Sequence, residues 1–166
     1  MKKLWILFLL SVPALAFSQP ALKIYAYSQV TTPGTMPVDE NGKPIKLKGQ
    51  NVNYFIYVAC SGSSKVTFDR VWIKGTVYSI QTTQVGTTPV FGESSPQLPK
   101  PIVLVPATRL KVTSITLNGE DREPIQSYTF MNLTKHSEVI VIYSYNGRKY
   151  FAGVKKINVL PALAGV

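Results

Sequence analysis

The chain contains very few of the residues on which active sites and metal centres depend. Its 166 residues include one cysteine, one histidine and eight carboxylates. A zinc site usually takes several histidine or cysteine ligands, and neither a Gly-x-Ser-x-Gly elbow nor a phosphate-binding glycine loop occurs in the sequence. We therefore predict no catalytic residue, no metal site and no cofactor, and we predict that the protein is not an enzyme.

The single cysteine also excludes an internal disulfide, so stability has to come from a packed core. Cys60 ends the apolar run 54–59, which is typical of a small buried hydrophobe. A nucleophilic role would require His136, which lies in a polar stretch. The acidic cluster 120–123 follows a predicted turn and includes Arg122, which favours a solvated loop over a catalytic pair of carboxylates.

The N-terminus has the three-part pattern of a secretory signal peptide. Lys2 and Lys3 precede an apolar run over residues 4–10, and small residues follow at Ala14 and Ala16. The apolar run is shorter than the roughly 20 residues that cross a bilayer. We predict that the segment is cleaved rather than retained as a membrane anchor.

We place the signal peptide at residues 1–18, although cleavage after Ala16 is an alternative. The remaining residues 19–166 then form one domain, exported to the periplasm or the cell exterior, with no transmembrane span.

The charge of the chain is distinctly basic. Removal of Lys2 and Lys3 lowers the formal net charge from +10 to +8. A basic protein favours anionic partners, but export argues against nucleic acid. No run of basic residues is longer than Lys155–Lys156, which indicates that the charge serves mainly solubility. An anionic surface is the alternative partner.

Short runs rich in Val, Ile, Thr, Tyr and Phe recur between turn-forming residues, and helical spacing of apolar residues is not sustained. The predicted strands are 22–29, 51–60, 66–74, 76–85, 102–105, 109–117, 125–130, 138–145 and 148–159. This pattern indicates an all-β fold. We predict an antiparallel β-sandwich of about eight or nine strands, immunoglobulin-like or a related Greek key, with a small β-barrel as the alternative.

Asn-Gly pairs mark two of the predicted turns. Asn146–Gly147 predicts a hairpin with a type I′ turn, and Asn118–Gly119 predicts a turn after the strand 109–117. The stretch 86–101 contains four prolines, which lack the backbone donor of a strand ladder, so we predict a long irregular loop there.

One candidate binding surface lies on the third predicted strand. Strict alternation places Phe68, Arg70, Trp72 and Lys74 on one face, opposite Val71. If that face is exposed, an aromatic ring flanked by cations would suit a sugar ring or a protein segment. The alternative is that Trp72 is a core residue of the sandwich.

The second candidate surface is a group of tyrosines in the last hairpin. Tyr143 and Tyr145 share a face of one strand, and Tyr150 lies across the turn. Such residues suit binding of glycans or proteins, but cross-strand packing explains them equally well.

These observations favour a non-catalytic protein of the cell envelope. We predict an interaction or accessory module that binds a protein through a sheet face or the loop 86–101. The alternative is a carbohydrate-binding module that uses exposed aromatic residues.

Overall fold

The computed structural model describes residues 20–31, 40–41, 51–61, 65–86, 88–92 and 100–162. The predicted signal peptide and its cleavage site lie outside these residues. Within them, the chain forms ten strands and one short helix, so the all-β prediction is confirmed. The elements are β1 (Lys23–Thr31), β2 (Asn51–Cys60), β3 (Val66–Ile73), β4 (Thr76–Val85), β5 (Val90–Phe91), β6 (Ile102–Val103), β7 (Lys111–Glu120), α1 (Tyr128–Thr134), β8 (Val139–Tyr145), β9 (Arg148–Val154) and β10 (Asn158–Val159).

Eight of the described strands form one sheet in the order β10-β1-β2-β7-β4-β3-β8-β9. All neighbours are antiparallel except β1 and β10, which are parallel, so the sheet is mixed. Of the predicted antiparallel β-sandwich, the all-β character is therefore shown, but two packed antiparallel sheets are not observed among the described strands. The strands belong to a single sheet that curls into a half-barrel.

The connection between β9 and β10 shows why the sheet has to curl. Only residues 155–157 separate these strands, although they occupy opposite edges of the sheet. A flat sheet of eight strands would place its edges about 34 Å apart, whereas the step from Val154 to Asn158 spans at most about 14 Å. Curling brings the two edges within that reach.

The inner face of the curled sheet encloses the main hydrophobic core. Strands from both halves of the sheet order contribute almost fully buried aliphatic side chains, which pack as one cluster. These are Ala26, Ile56, Val58, Val71, Ile73, Ile115, Val139, Val141 and Ile157. Strand β2 is apolar on both faces and lies between β1 and β7, inside the sheet.

Helix α1 covers the outer face of β3, β8 and β9. Its Phe130 packs with Ile140 and Ile142, which are fully buried on the side of β8 opposite the inner core. The predicted strand 125–130 is therefore wrong. Ser127 caps the helix by accepting a hydrogen bond from the backbone N–H of Phe130 at 3.4 Å, and this capping outweighs the strand preference of the aromatic residues that follow.

A second layer covers the outer face of β1 and β2. Phe91 and Leu104 pack there against Phe55, and the hydroxyl of Tyr27 donates to the carbonyl oxygen of Leu104 at 2.6 Å. The region 86–101 is thus not wholly without ladder pairing, because Val90–Phe91 pairs with β6. This short ladder ends before residues 93–99, which lie outside the described part.

Two tight turns join neighbouring strands of the sheet. Asn146 and Gly147 have φ angles of 50° and 73°, which confirms the predicted hairpin between β8 and β9. Lys74 and Gly75 have φ angles of 44° and 106° and join β3 to β4. The predicted turn at Asn118–Gly119 is wrong, because β7 continues through it to Glu120.

Candidate interaction surface

Strand β4 lies inside the sheet, but only one of its sides is paired along most of its length. It pairs with β7 from Tyr78 to Val85, and with β3 only over Thr76–Ser79. Beyond the pair Arg70–Ser79, β3 continues beside β8 and leaves β4. We call Thr76–Ser79 the closed half and Ile80–Val85 the open half of β4. No described strand pairs with the open half on its β3 side.

Two β-bulges lie beside the point of separation. The register of β3 against β8 shifts between Phe68 and Arg70, which leaves Asp69 as the extra residue. The register of β7 against β4 skips Asn118. A bulge bends its strand and increases the local twist, so bulges on both sides of β3 and β4 explain why these strands diverge.

The bulge at Asp69 also changes the predicted faces of β3. Phe68 and Arg70 were predicted on one face, but the extra residue turns Phe68 towards the inner core, where it packs. Arg70 lies opposite Ile142 and therefore shares the outer face. Asp69 itself accepts a hydrogen bond from the Ser144 hydroxyl at 2.9 Å.

Arg70 holds the segment that follows β7 against the point of separation. Its Nη1 lies 3.4 Å from Asp121 Oδ2 and 3.1 Å from Glu123 Oε2, and it also donates to the Glu123 carbonyl at 3.3 Å. The Arg70 side chain is only 13% exposed. It therefore offers little surface to a partner in this conformation, and the acidic cluster 120–123 supplies its ion-pair partners.

Trp72 and Lys74, which the sequence placed with Arg70 on one candidate binding surface, have different surroundings from Arg70. Trp72 is partly buried on the outer face, where its ring meets Phe130 edge-on at 6.3 Å. Lys74 lies in the turn after β3, and its Nζ is 3.5 Å from Glu138 Oε1. Trp72 therefore packs beneath α1. Of Arg70, Trp72 and Lys74, only Lys74 has a largely exposed side chain.

The three predicted tyrosines come together on the other face of the sheet. Tyr143 lies opposite Phe68 and is buried, and its ring stacks on Tyr150 at 5.7 Å. Tyr145 and Tyr150 are partly buried, 6.4 Å apart and tilted by 52°. Burial raises the pKa of Tyr143, and the neighbouring Tyr150 raises it further. The six predicted residues therefore do not form one surface.

A polar cleft that was not predicted from the sequence opens where β3 and β4 separate. Its volume is about 360 Å³, and it is lined by Val66, Thr67, Phe68, Thr82, Gln84, Lys111 and Thr113. The residues Gln81–Gln84 are all exposed. The polar run Gln81–Gln84 is the local sequence feature that marks it, but ordinary half-exposed strands have the same composition.

A second cleft of about 480 Å³ lies where β2 and β7 separate beyond the pair Ile56–Ile115. Tyr54, Phe55 and Leu117 line it, together with neighbouring residues of the two strands. Its lining includes Val52 and Asn53, which follow in sequence the residues 42–50 outside the described part. The cleft between β3 and β4 is therefore the better defined candidate.

The described residues offer little catalytic chemistry. Cys60 is buried, and burial raises the pKa of its thiol despite the opposing effect of Lys111, which disfavours the thiolate that a nucleophile requires. No group of three or more His, Cys, Asp or Glu side chains among the described residues could hold a metal ion.

No protein-family model, no curated protein and no solved structure matches this chain. The only described helix, α1, is seven residues long, so none of the described helices could span a bilayer.

Proposed function

We propose that this is an exported, non-catalytic protein of the cell envelope that binds another protein. A strand of the partner protein pairs with the open half of β4. The observation that carries this proposal is that residues Gln81–Gln84 are exposed and pair with β7 on one side, whereas no described strand pairs with them on the other side. In a strand, successive residues direct their backbone N–H and C=O groups to opposite neighbours. About half of the groups in this run therefore point away from β7 and are available to an added strand.

Photo-crosslinking in the native envelope tests this proposal directly. A benzophenone amino acid placed at Thr83 should give discrete protein adducts, because Thr83 is exposed on the open half. The same amino acid at Tyr128 is the matched control, since Tyr128 is 88% exposed on α1, away from the cleft. Adducts at Tyr128 but none at Thr83 would refute binding at the open half.

A proline scan then separates strand addition from contact through side chains. Proline at Thr82 or at Thr83 removes one backbone donor, and only one of these donors points away from β7. For this scan the benzophenone amino acid is placed at Gln81, which is also exposed on the open half. The proline variant that retains the free energy of unfolding of the wild type should lose the Gln81 adduct. Retention of the adduct in that variant would exclude pairing through the backbone.

A carbohydrate-binding module is the second candidate, and one observation favours it. Tyr145 and Tyr150 are only partly buried, at the same strand ends as the hydroxyl- and amide-lined cleft. Aromatic rings beside hydroxyl groups suit a sugar. Glycan-array binding that Tyr150→Ala abolishes, and that the stable proline variant of the preceding scan leaves unchanged, would favour this candidate over strand addition.

The export component of the proposal rests on the pattern in residues 1–18. Intact mass of the protein recovered from the producing cell should correspond to residues 19–166. A full-length mass in the cytoplasmic fraction would contradict export.

A further inference from the structure

We propose that the strand accepted by the open half of β4 comes from a protein segment that carries acidic side chains. This inference rests on the proposed function and adds the chemistry of the partner. It follows from the cleft beside the open half, whose lining contains one ammonium group and no carboxylate.

The polar side chains of the cleft can all donate hydrogen bonds. Lys111 supplies the ammonium group, Gln84 an amide, and Thr67, Thr82 and Thr113 supply hydroxyls. A carboxylate accepts hydrogen bonds from each of these donors, and bonds to a charged acceptor are the stronger ones. A cationic side chain would find no acid within the described lining.

The described acids are unevenly distributed along the strand direction, whereas basic residues lie at both ends of the sheet. The strand ends on the cleft side of the sheet carry Lys23, Lys65, Arg109, Lys111 and Arg148, and no described acid lies at these strand ends. Lys149 lines another cleft, beside Glu123. Among the described acids, Glu120 and Asp121 lie at the opposite end of β7, and Glu138 lies just before β8. Glu123 pairs with Arg70 within β3, and Glu40 lies in the connection between β1 and β2. Asp69 lies within β3, and its carboxylate accepts the Ser144 hydroxyl. The end that holds the cleft is therefore positive and attracts an acidic segment.

The dimensions of the cleft fit this mode of binding. A volume of about 360 Å³ lies at the lower end of the range for small-ligand pockets, about 300–1,000 Å³. It would receive one or two side chains, while the backbone of the segment extends along β4. Backbone pairing then supplies affinity, and the cleft supplies the preference for an acid.

Fluorescence anisotropy with three labelled peptides tests the inference on the mature protein. The first peptide alternates threonine and valine and ends in glutamates, the second ends in lysines, and the third is the acidic peptide with a central proline. We expect the acidic peptide to bind at least about tenfold more tightly than the basic one, with the difference reduced by salt. Lys111→Glu should abolish that preference, whereas Lys155→Glu, at the far end of β9, should preserve it.

Each other outcome contradicts either the acidic preference or the pairing of a protein segment with β4. Equal binding of acidic and basic peptides, with loss on proline substitution, would remove the acidic preference and leave strand addition intact. Equal binding of the acidic peptide with and without proline, or equally tight Lys111-dependent binding of an acidic polysaccharide, would overturn the inference of a paired protein segment. Absence of binding by all three peptides would also overturn it, while the Thr83 crosslinks test the proposed function independently.

Discussion

The two halves of β4 have different neighbours, although they belong to one continuous strand. The closed half pairs with β3, and its Tyr78 packs against the inner core. The open half pairs with β7 alone, and four of its six residues are exposed. The place of a strand in the sheet order therefore does not decide whether its backbone is fully paired. Bulges in the neighbouring strands decide it.

Amide hydrogen exchange should show the largest difference between the two halves. Within Gln81–Gln84, we expect alternate amides to exchange with almost no protection, because they point away from β7. Amides of the core strand β8 should exchange at least on the order of a thousandfold more slowly than these amides. Their exchange should approach the rate that global unfolding allows. NMR exchange rates check this, and uniform protection of all four amides would show that part of the chain covers the open half.

Truncation of a core residue beside the closed half should cost the most free energy. Ile73 pairs with Thr76 and is 2% exposed in the inner core. Ile73→Ala should lower the free energy of unfolding by about 2–5 kcal/mol through lost burial and the resulting cavity. Thr83→Ala, on the open half, should change it by no more than about 0.5 kcal/mol. Urea denaturation of both variants measures the contrast, and comparable losses would contradict it.

Removal of the ion pair at the point of separation should have an intermediate effect. Arg70→Met keeps the packing volume but leaves Asp121 without its cation, and we expect a loss of about 1–2 kcal/mol, because Glu123 is largely exposed. Lys74→Met removes a more exposed pair and should cost at most about 1 kcal/mol. Chemical denaturation ranks the two variants, and the reverse order would show that Arg70 does not hold the segment after β7.

The smallest expected effect is a pH dependence of the free energy of unfolding, which arises from Glu138 just before β8. The backbone N–H of Ile157 donates to Glu138 Oε2 at 2.7 Å, and this bond, with help from Lys74, lowers the pKa of Glu138 below its ordinary value of 4.5, against an opposing effect of burial. A lowered folded-state pKa contributes stability that is fully present above the unfolded-state value. That contribution is lost as the pH falls from about 4.5 through the folded-state pKa.

Glu138→Gln isolates this contribution. The variant should be less stable than the wild type at pH 7, and the difference should shrink as the solution is acidified through that window. Thermal melts at a series of pH values measure it. A difference that stays constant with pH would assign the effect of the substitution to packing rather than to ionisation.

Local sequence patterns predicted much of the fold correctly. The bounds of Asn51–Cys60 and Thr76–Val85 match the observed strands, and Asn146–Gly147 forms the expected hairpin turn. These features depend on residues close together in the chain, whose backbone preferences act locally. The capped helix at Tyr128–Thr134 was missed because its aromatic and β-branched residues also suit a strand.

Local sequence patterns did not predict the candidate site. Trp72 and Arg70 are an evident pair in the sequence, but whether they are exposed depends on α1 and on the acids after β7, which are distant in the chain. The exposed run Gln81–Gln84 becomes informative only once its missing neighbour is known. Its composition alone is that of an ordinary polar strand.

The sequence by itself determined that the chain is rich in β-strands, where most strands lie, and that Cys60 stands without a partner cysteine. Alternation of side chains and turn residues is a local property that needs no knowledge of the partner strand. Only the tertiary structure decided the curl of the sheet, the bulges at Asp69 and Asn118, and the opening beside β4. These features depend on register between strands that are distant in sequence, and register is set by which faces are buried together.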